Sequence, residues 1–372
     1  MLPAALILSA LYAALIFYSL RGWSKIPLAV SANDNSKASV FITVVIPARD
    51  EAANIEHCLQ ALRQQTYPAG LFEVIVINDH STDNTAALAA YWGAKVINLP
   101  EEVDNSHKKA AIELAVAQAR GKLIVTTDAD TIAHPQWLAI LAACFEAWNP
   151  VFMAAPVGFY GVRNALQRFQ SLDMLGMMVL TGAGIQQGTL DLCNGANLAF
   201  AKNAFEEVKG YSGVSAQASG DDMFLMKKMR ERFPGRIAFV KHPHAMVFTR
   251  PQPNMRAFIG QRLRWASKMG SFYQPATLLF TGAPFLLCWA ILLSLVWIPL
   301  WGEVALAAVL IMFGVKLVAD FALLGAAGSF FGRPELMRYF WLSQLYHIIY
   351  IAGIGLLSFF IKKYTWKGRV VR

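Results

Sequence analysis

Carboxylates recur in this sequence at the ends of short β-branched runs, a position from which side chains can act together. The run Leu123 to Thr127 leads into Asp128-Ala129-Asp130. Alternate positions of a strand share one face, so both carboxylates can approach one point beyond its carboxyl end. Paired carboxylates suit a hard divalent cation, Mg²⁺ or Mn²⁺, that also draws oxygens from phosphate. A second run ends at Asn78-Asp79-His80-Ser81-Thr82-Asp83-Asn84-Thr85. There Asp79 can accept hydrogen bonds from a base or ribose, and Ser81 or Thr82 reads as the cap of the following helix. His80 reads as a locally hydrogen-bonding histidine, because no second histidine stands at metal-ligand spacing. A third run ends at Ile46-Pro47-Ala48-Arg49-Asp50-Glu51, whose carboxylates also fit a helix start.

Two further groups carry charge in informative places. Lys108 and Lys109 open a helical segment, where a cation opposes the helix dipole unless an anion sits beside it. Ser219-Gly220-Asp221-Asp222 precedes the apolar start of another helix. One aspartate can serve as the cap. The other is available as a general base, its proton affinity raised by a like-charged neighbour. Gln261-Arg262-Leu263-Arg264-Trp265 lies in a basic amphipathic stretch that fits a membrane surface, and Arg264 can also face a diphosphate.

Elements that position these residues follow from the periodicity. Phe41–Pro47, Phe72–Asn78, Ala94–Asn98 and Lys122–Thr127 read as buried strands. Glu51–Gln65, Asp83–Trp92 and Lys108–Ala119 read as the helices between them. Such alternation implies right-handed crossovers and an α/β fold with a mostly parallel sheet and helices on both faces. Ligands then bind beyond the strands' carboxyl ends.

The rest of the chain is unusually apolar. Of 372 residues, 56% are hydrophobic and only 15% charged, against roughly 25% charged in an average soluble protein. No charged residue or histidine occurs between Lys268 and Glu303, and none in the first twenty positions. About 20 apolar residues span the ~30 Å hydrocarbon layer. The sequence therefore divides into a transmembrane anchor over 1–22, a linker over 23–40, a catalytic domain over 41–253, an amphipathic interface helix over 254–272 and a membrane region over 273–372. That last region holds about three helices, near 275–300, 304–328 and 340–361, and a basic tail. Lys316 and Asp320, four apart, can neutralise each other inside the bundle, a structural ion pair. The net charge of +9 comes from basic residues flanking apolar segments, among them Arg21, Lys25, Lys362 and Lys363. This pattern points away from nucleic acid and places the α/β part in the cytoplasm. Three crossings after that part put the basic tail on the far side, against the same charge rule. Cys58, Cys144, Cys193 and Cys288 have neither zinc-site nor disulfide-framework spacing.

In their order, Pro47 to Glu51, Asn78 to Thr85, Asp128-Ala129-Asp130, Gly220-Asp221-Asp222 and Gln261-Arg262-Leu263-Arg264-Trp265 resemble the inverting glycosyltransferases of family 2. The membrane-embedded subgroup with cellulose and hyaluronan synthases and ceramide glucosyltransferase is the one resembled, over about 41–270. The resemblance implies a GT-A-like fold and a UDP-sugar donor. It implies that Asp79 holds the uracil, with Glu51 and the backbone near Ala48 lining the same pocket. Lys108 would sit near the diphosphate, and Asp130 with Asp128 would bind Mg²⁺ or Mn²⁺. Asp222 looks like the base, with Asp221 as the alternative, and Gln261, Arg264 and Trp265 would close over the donor and line the acceptor entrance. The stretch Cys193 to Asn197 is similar to a family loop beneath the acceptor sugar, which brings in Gly195 and Asn197. Asn78 departs from the aspartate many relatives have, and Gly220-Asp221-Asp222 from the commoner Glu-Asp. Three apolar segments are few for a polysaccharide channel, which favours a lipid acceptor at the cytoplasmic face, in the inner membrane if the source is bacterial. A processive polysaccharide synthase and a nonenzymatic membrane module are the alternatives.

Overall fold

The computed structural model describes residues 1–29, 38–101, 107–213, 220–269, 275–361, 364–366 and 369–371. The chain forms two compact units. One comprises Met1–Lys25, Gly161–Leu190 and Pro251–Tyr364, and the other Ile26–Tyr160, Asp191–Arg250 and Thr365–Arg372.

In chain order the elements begin with helix α1 (Leu2–Lys25), strand β1 (Ile42–Ala48), α2 (Ile55–Arg63), β2 (Phe72–Asn78), α3 (Thr85–Tyr91), β3 (Lys95–Asn98), α4 (His107–Gln118) and β4 (Leu123–Thr126). Then come β5 (Ile132–Ala133), α5 (Trp137–Trp148), β6 (Phe152–Ala154), β7 (Val157–Phe159), α6 (Ala165–Gln187), β8 (Leu198–Ala201), α7 (Lys202–Glu207) and α8 (Asp221–Arg232). Strands β9 (Ile237–Phe239) and β10 (Val247–Thr249) precede α9 (Met255–Met269), α10 (Pro275–Phe330) and α11 (Phe340–Phe360).

The second unit is built on a seven-stranded sheet in the order β3-β2-β1-β4-β8-β6-β9. Strands β3, β2, β1 and β4 run parallel, so their carboxyl ends share one edge, while β8 is antiparallel to both of its neighbours. The core strands β1 and β4 are buried almost throughout, as expected of strands covered on both faces. A small second sheet, β5-β10-β7, follows directly from the Asp128 to Asp130 turn and pairs Phe248 with Ile132.

The first unit is helical. Helix α6 opens with a capping box in which Asn164 accepts from the Gln167 N–H, and it closes at Gly188 in the left-handed region. The contiguous domain expected over 41–253 is thus interrupted: Gly161–Leu190 belongs to the helical unit, where α6 packs on α1 and α10. Fourteen buried positions spread around α6, so its pattern shows that it is covered but not by which neighbour. The anchor helix also runs to Lys25, three residues past the expected end.

Among the described residues three helical stretches are long and apolar enough to cross a membrane: Leu2–Lys25, Pro275–Phe330 and Pro334–Phe360. The 56 residues of α10 are broken at Gly302, whose φ of 49° and ψ of −127° are not helical. On one straight helix Cys288 and Lys316 would lie roughly 42 Å apart. Cys288 instead sits within electrostatic range of Lys316 and Asp320, so the chain doubles back at Gly302. Glycine is the residue that tolerates that left-handed backbone. Between the arms and their neighbours, Lys316 is wholly buried, donates to Asp320 and to Gln344 Oε1 at 2.7 Å, and Asp320 also accepts from the Tyr12 hydroxyl.

Candidate functional site

Three strand ends assemble the site. Ala48 and Asn78 are in register at the ends of β1 and β2, and the next N–H, of Asp79, donates to the Ala48 carbonyl at 2.8 Å. Beyond them the two loops are stitched together. The Asp50 N–H donates to Ser81 Oγ at 3.1 Å, and Asp50 Oδ1 accepts from the Thr82 N–H at 2.8 Å. The Glu51 N–H donates to Thr85 Oγ1 at 2.8 Å. Ser81 and Thr82 therefore bind the neighbouring loop rather than cap a helix. Asn84 occupies the N-cap of α3 and makes no side-chain capping bond.

Asp79 is buried and has an imidazole on either flank. Its Oδ1 lies 3.0 Å from Nδ1 of His80 and 3.0 Å from Nδ1 of His107, with Nη1 of Arg49 at 3.9 Å. His107 is thus the partner that spacing did not suggest for His80. It stands at the start of α4, and the next residue, Lys108, turns to the other carboxylate group. Lys108 Nζ donates to Asp128 Oδ1 at 2.7 Å. Burial alone would lower the lysine's pKa, but the charges of Asp128, Asp221 and Asp222 outweigh it and raise it. Two basic side chains at the head of α4 oppose the dipole, and Asp79 and Asp128 offset them.

Asp130 follows Asp128 at the sheet edge and accepts from Thr249 Oγ1 on β10 at 2.9 Å. Burial, then the charge of Asp128, push its carboxyl up to about 6, against the hydrogen bond from Thr249, and Glu51 adds to the rise. Negative charge crowded in this way is what a divalent cation relieves. Asp128 and Asp130 with water and phosphate oxygens fit Mg²⁺ or Mn²⁺. Cys58 lies beneath these carboxylates, its Sγ 3.7 Å from the Asp128 carbonyl, and burial pushes its thiol up to about 12. It is an inert packing residue.

The aspartate pair starts α8. Gly220, at φ 88°, is the N-cap, so both Asp221 and Asp222 fall in the first turn. Asp222 Oδ2 accepts from the Gly195 N–H at 3.0 Å and Oδ1 from the Met223 N–H at 2.9 Å. Each oxygen keeps a second lone pair for a proton. A Cβ on Gly195 would come within 3.2 Å of Lys108 Nζ and 3.5 Å of Asp221 Oδ2. The stretch around Gly195 therefore lies directly against the lysine and the aspartates. Asn197 is turned inward: fully buried, it accepts from Trp137 Nε1 at 3.0 Å and donates to the carbonyls of Pro156 and Ala245. It pins this loop to the core.

The structure thus brings together Ala48, Glu51, Asp79, Lys108, Asp128, Asp130, Gly195, Asp221 and Asp222 in the sheet unit. Gln261, Arg264 and Trp265 lie on α9, in the helical unit. Between them Arg262 is buried, pairs with Asp173 at 2.7 Å and lies 4.3 Å from the centroid of Trp265. Sequence reasoning missed Arg49, His107 and Thr249. His107 and Thr249 reach the site across long stretches of sequence that no local motif marks, whereas Arg49 lies within the Pro47 to Glu51 run, which was read for its carboxylates.

A mixed, mostly parallel sheet bearing acidic turns at the carboxyl edge of its parallel strands is GT-A-like, with apolar helices added at both ends of the chain. The solved mannosyltransferase PcManGT from Pyrobaculum calidifontis, in complex with GDP-Man and Mn²⁺, shares that fold. It has a TM-score of 0.56 over 94% of this chain and 99% of its own, at 19% identity. The sequence pattern of Glycosyl transferase family 2 matches residues 43–208. Among curated relatives, the glycosyltransferase AglE of Haloferax volcanii is 34% identical over 26% of this chain and 33% of its own length. The probable glycosyltransferase YdaM of Bacillus subtilis is 25% identical over 63% of this chain and 56% of its own. The 4,4'-diaponeurosporenoate glycosyltransferase of Staphylococcus aureus is 38% identical over 27% and 26%. The matches span from about a quarter to just over half of these relatives.

Proposed function

We propose that the chain is a membrane-bound inverting glycosyltransferase that moves a sugar from a UDP-sugar to a lipid acceptor at the cytoplasmic membrane face. The observation that carries this reading is the convergence of Lys108, Asp128, Asp221 and Asp222 around Gly195, one strand end from Asp79. Asp79, Glu51 and the backbone at Ala48 hold the nucleoside. Lys108 releases Asp128 to meet the diphosphate. Asp130 and Asp128 would hold Mg²⁺ or Mn²⁺, which when bound neutralises charge on the diphosphate.

Asp222 is the base. Anchored by the Gly195 and Met223 N–H groups, it takes the proton from an acceptor hydroxyl as that oxygen attacks the anomeric carbon. Lys108 offsets charge developing on the departing UDP. Attack opposite the leaving group turns an α-linked donor into a β-linked product. For Gln261, Arg264 and Trp265 the proposed roles at the donor and acceptor rest on the sequence motif. Three long apolar helices support the choice of a lipid acceptor.

The test is UDP release by the detergent-purified protein across a panel of UDP-sugars, with Mn²⁺, Mg²⁺ or chelator, and with or without membrane lipid. Release from one donor that requires metal and rises with lipid is the expected outcome. A ladder of long polymers formed without lipid would replace the lipid acceptor with a growing polysaccharide, and no release from any donor would reopen the nonenzymatic reading.

A further inference from the structure

We propose that Asp79, His80 and His107 form a binding site for a first-row transition-metal ion of the Zn²⁺ type, distinct in chemistry from the Asp128–Asp130 pair. Among the described residues this is where three such side chains present ligand atoms within 4.8 Å of one another. Both imidazole Nδ1 atoms stand 3.0 Å from the same carboxylate oxygen. With zinc–ligand bonds of ~2.0–2.1 Å, the edge of a tetrahedral site is roughly 3.3 Å, so little movement separates this cluster from a coordinated one.

The donor set decides which metal fits. Two imidazoles and one carboxylate are borderline-soft ligands that favour Zn²⁺, Co²⁺ or Cu²⁺, whereas an all-oxygen pair favours Mg²⁺ or Mn²⁺. Three protein ligands leave a fourth position for water or another ligand, the open form of a zinc site.

Access and support are also present. The His80 and His107 side chains are 31% and 21% exposed, while the His107 Nδ1 atom and Asp79, 7% exposed, lie beneath the surface, so an ion enters as the two rings part. His80 is held at φ 54°, a backbone region uncommon for residues other than glycine, and its ring is folded back toward the adjacent Asp79. Arg49, 3.9 Å from the shared oxygen, is the opposing charge the ion must tolerate. It sets the affinity below that of a dedicated structural zinc site.

The site is inferred from the metal ligands alone, but it bears on the proposed nucleotide pocket. Asp79 cannot serve both, so bound Zn²⁺ and UDP exclude one another. Zinc would act as a competitive inhibitor that a chelator reverses.

The experiment titrates the full-length detergent-purified protein with Zn²⁺ alone and with Co²⁺ as a spectroscopic stand-in, in the Asp130→Ala background so that the carboxylate pair does not contribute. One equivalent is expected, with the intense visible absorption of low-coordinate Co²⁺ and two imidazoles detected around zinc by X-ray absorption. His80→Gln and His107→Gln should each weaken binding at least tenfold. Absence of a bound equivalent, oxygen-only coordination, or unchanged affinity in both variants would overturn the site. Because the imidazole signal is read on protein with both histidines present, a misfolded variant does not blunt the test. If zinc binds as expected yet UDP does not compete, the metal site stands and Asp79 leaves the nucleotide pocket.

Discussion

Buried charge is handled in opposite ways in the two units. In the helical unit each buried ion has its opposite: Lys316 with Asp320, Arg262 with Asp173. In the sheet unit Asp128, Asp221 and Asp222 gather around Lys108, and burial, then the charges of Asp128 and Glu51, push Asp130 up to about 6. A closed pair holds helices together. Charge that stays in excess is completed from outside, and that is where the proposed phosphorylated donor and cation would bind.

The contrast makes separate demands on substitutions. The largest effect is expected from Asp222→Asn, which keeps the shape but not the base. Turnover should fall by about 10²–10⁴-fold, while UDP binding, measured by calorimetry, is retained; unchanged UDP release would remove Asp222 as the base. Next is Lys316→Met, which strands the buried Asp320. Breaking a buried pair from one side costs roughly 3–5 kcal/mol, seen as a lowered melting temperature in detergent. The double change Lys316→Met with Asp320→Leu should restore most of it. A comparable rescue by neutralising Asp128 and Lys108 together is not expected for activity, and finding one would erase the distinction between the units.

The third effect is in pH. Asp130 is a carboxyl whose pKa is raised, so above about 6 the folded protein carries the cost of its charge, and that cost is relieved progressively as the pH falls from about 6 toward the ordinary carboxyl value. Proton and metal compete for it. Mn²⁺ affinity, followed by titration, should be constant above about pH 7 and fall about tenfold per unit below 6. Added metal should raise the melting temperature more at pH 7.5 than at pH 5. The smallest effect is that of Thr249→Val, which removes one hydrogen bond to Asp130. A loss of about 1 kcal/mol, or several-fold in Mn²⁺ affinity, is the expected size.

The parallel half of the sheet was legible in the sequence, whereas β6, β8, β9 and the small second sheet were not read. Phe72–Asn78 coincides with β2, and the other three parallel strands deviate by about one residue, because β-branched runs bounded by polar turns leave little choice. Helix α2 starts four residues later than the pattern suggests. The delay comes from Asp50, whose φ of 49° starts a loop tied to Ser81 and Thr82, an interaction no local pattern encodes. Asp128, Lys108 and the Asp221–Asp222 pair were readable because each sits at an element end. His107 and Thr249 were not, since one meets Asp79 across 28 positions of sequence and the other meets Asp130 across 119. The stretch Gly161–Leu190 was read as part of the contiguous 41–253 domain for a related reason: periodicity reports that a face is covered, and topology decides by what.

The break at Gly302 also leaves almost no chain between the two apolar arms it joins. A side chain at that one residue would meet a backbone region that L residues avoid, so the pairing of the arms hangs on the absence of a single Cβ.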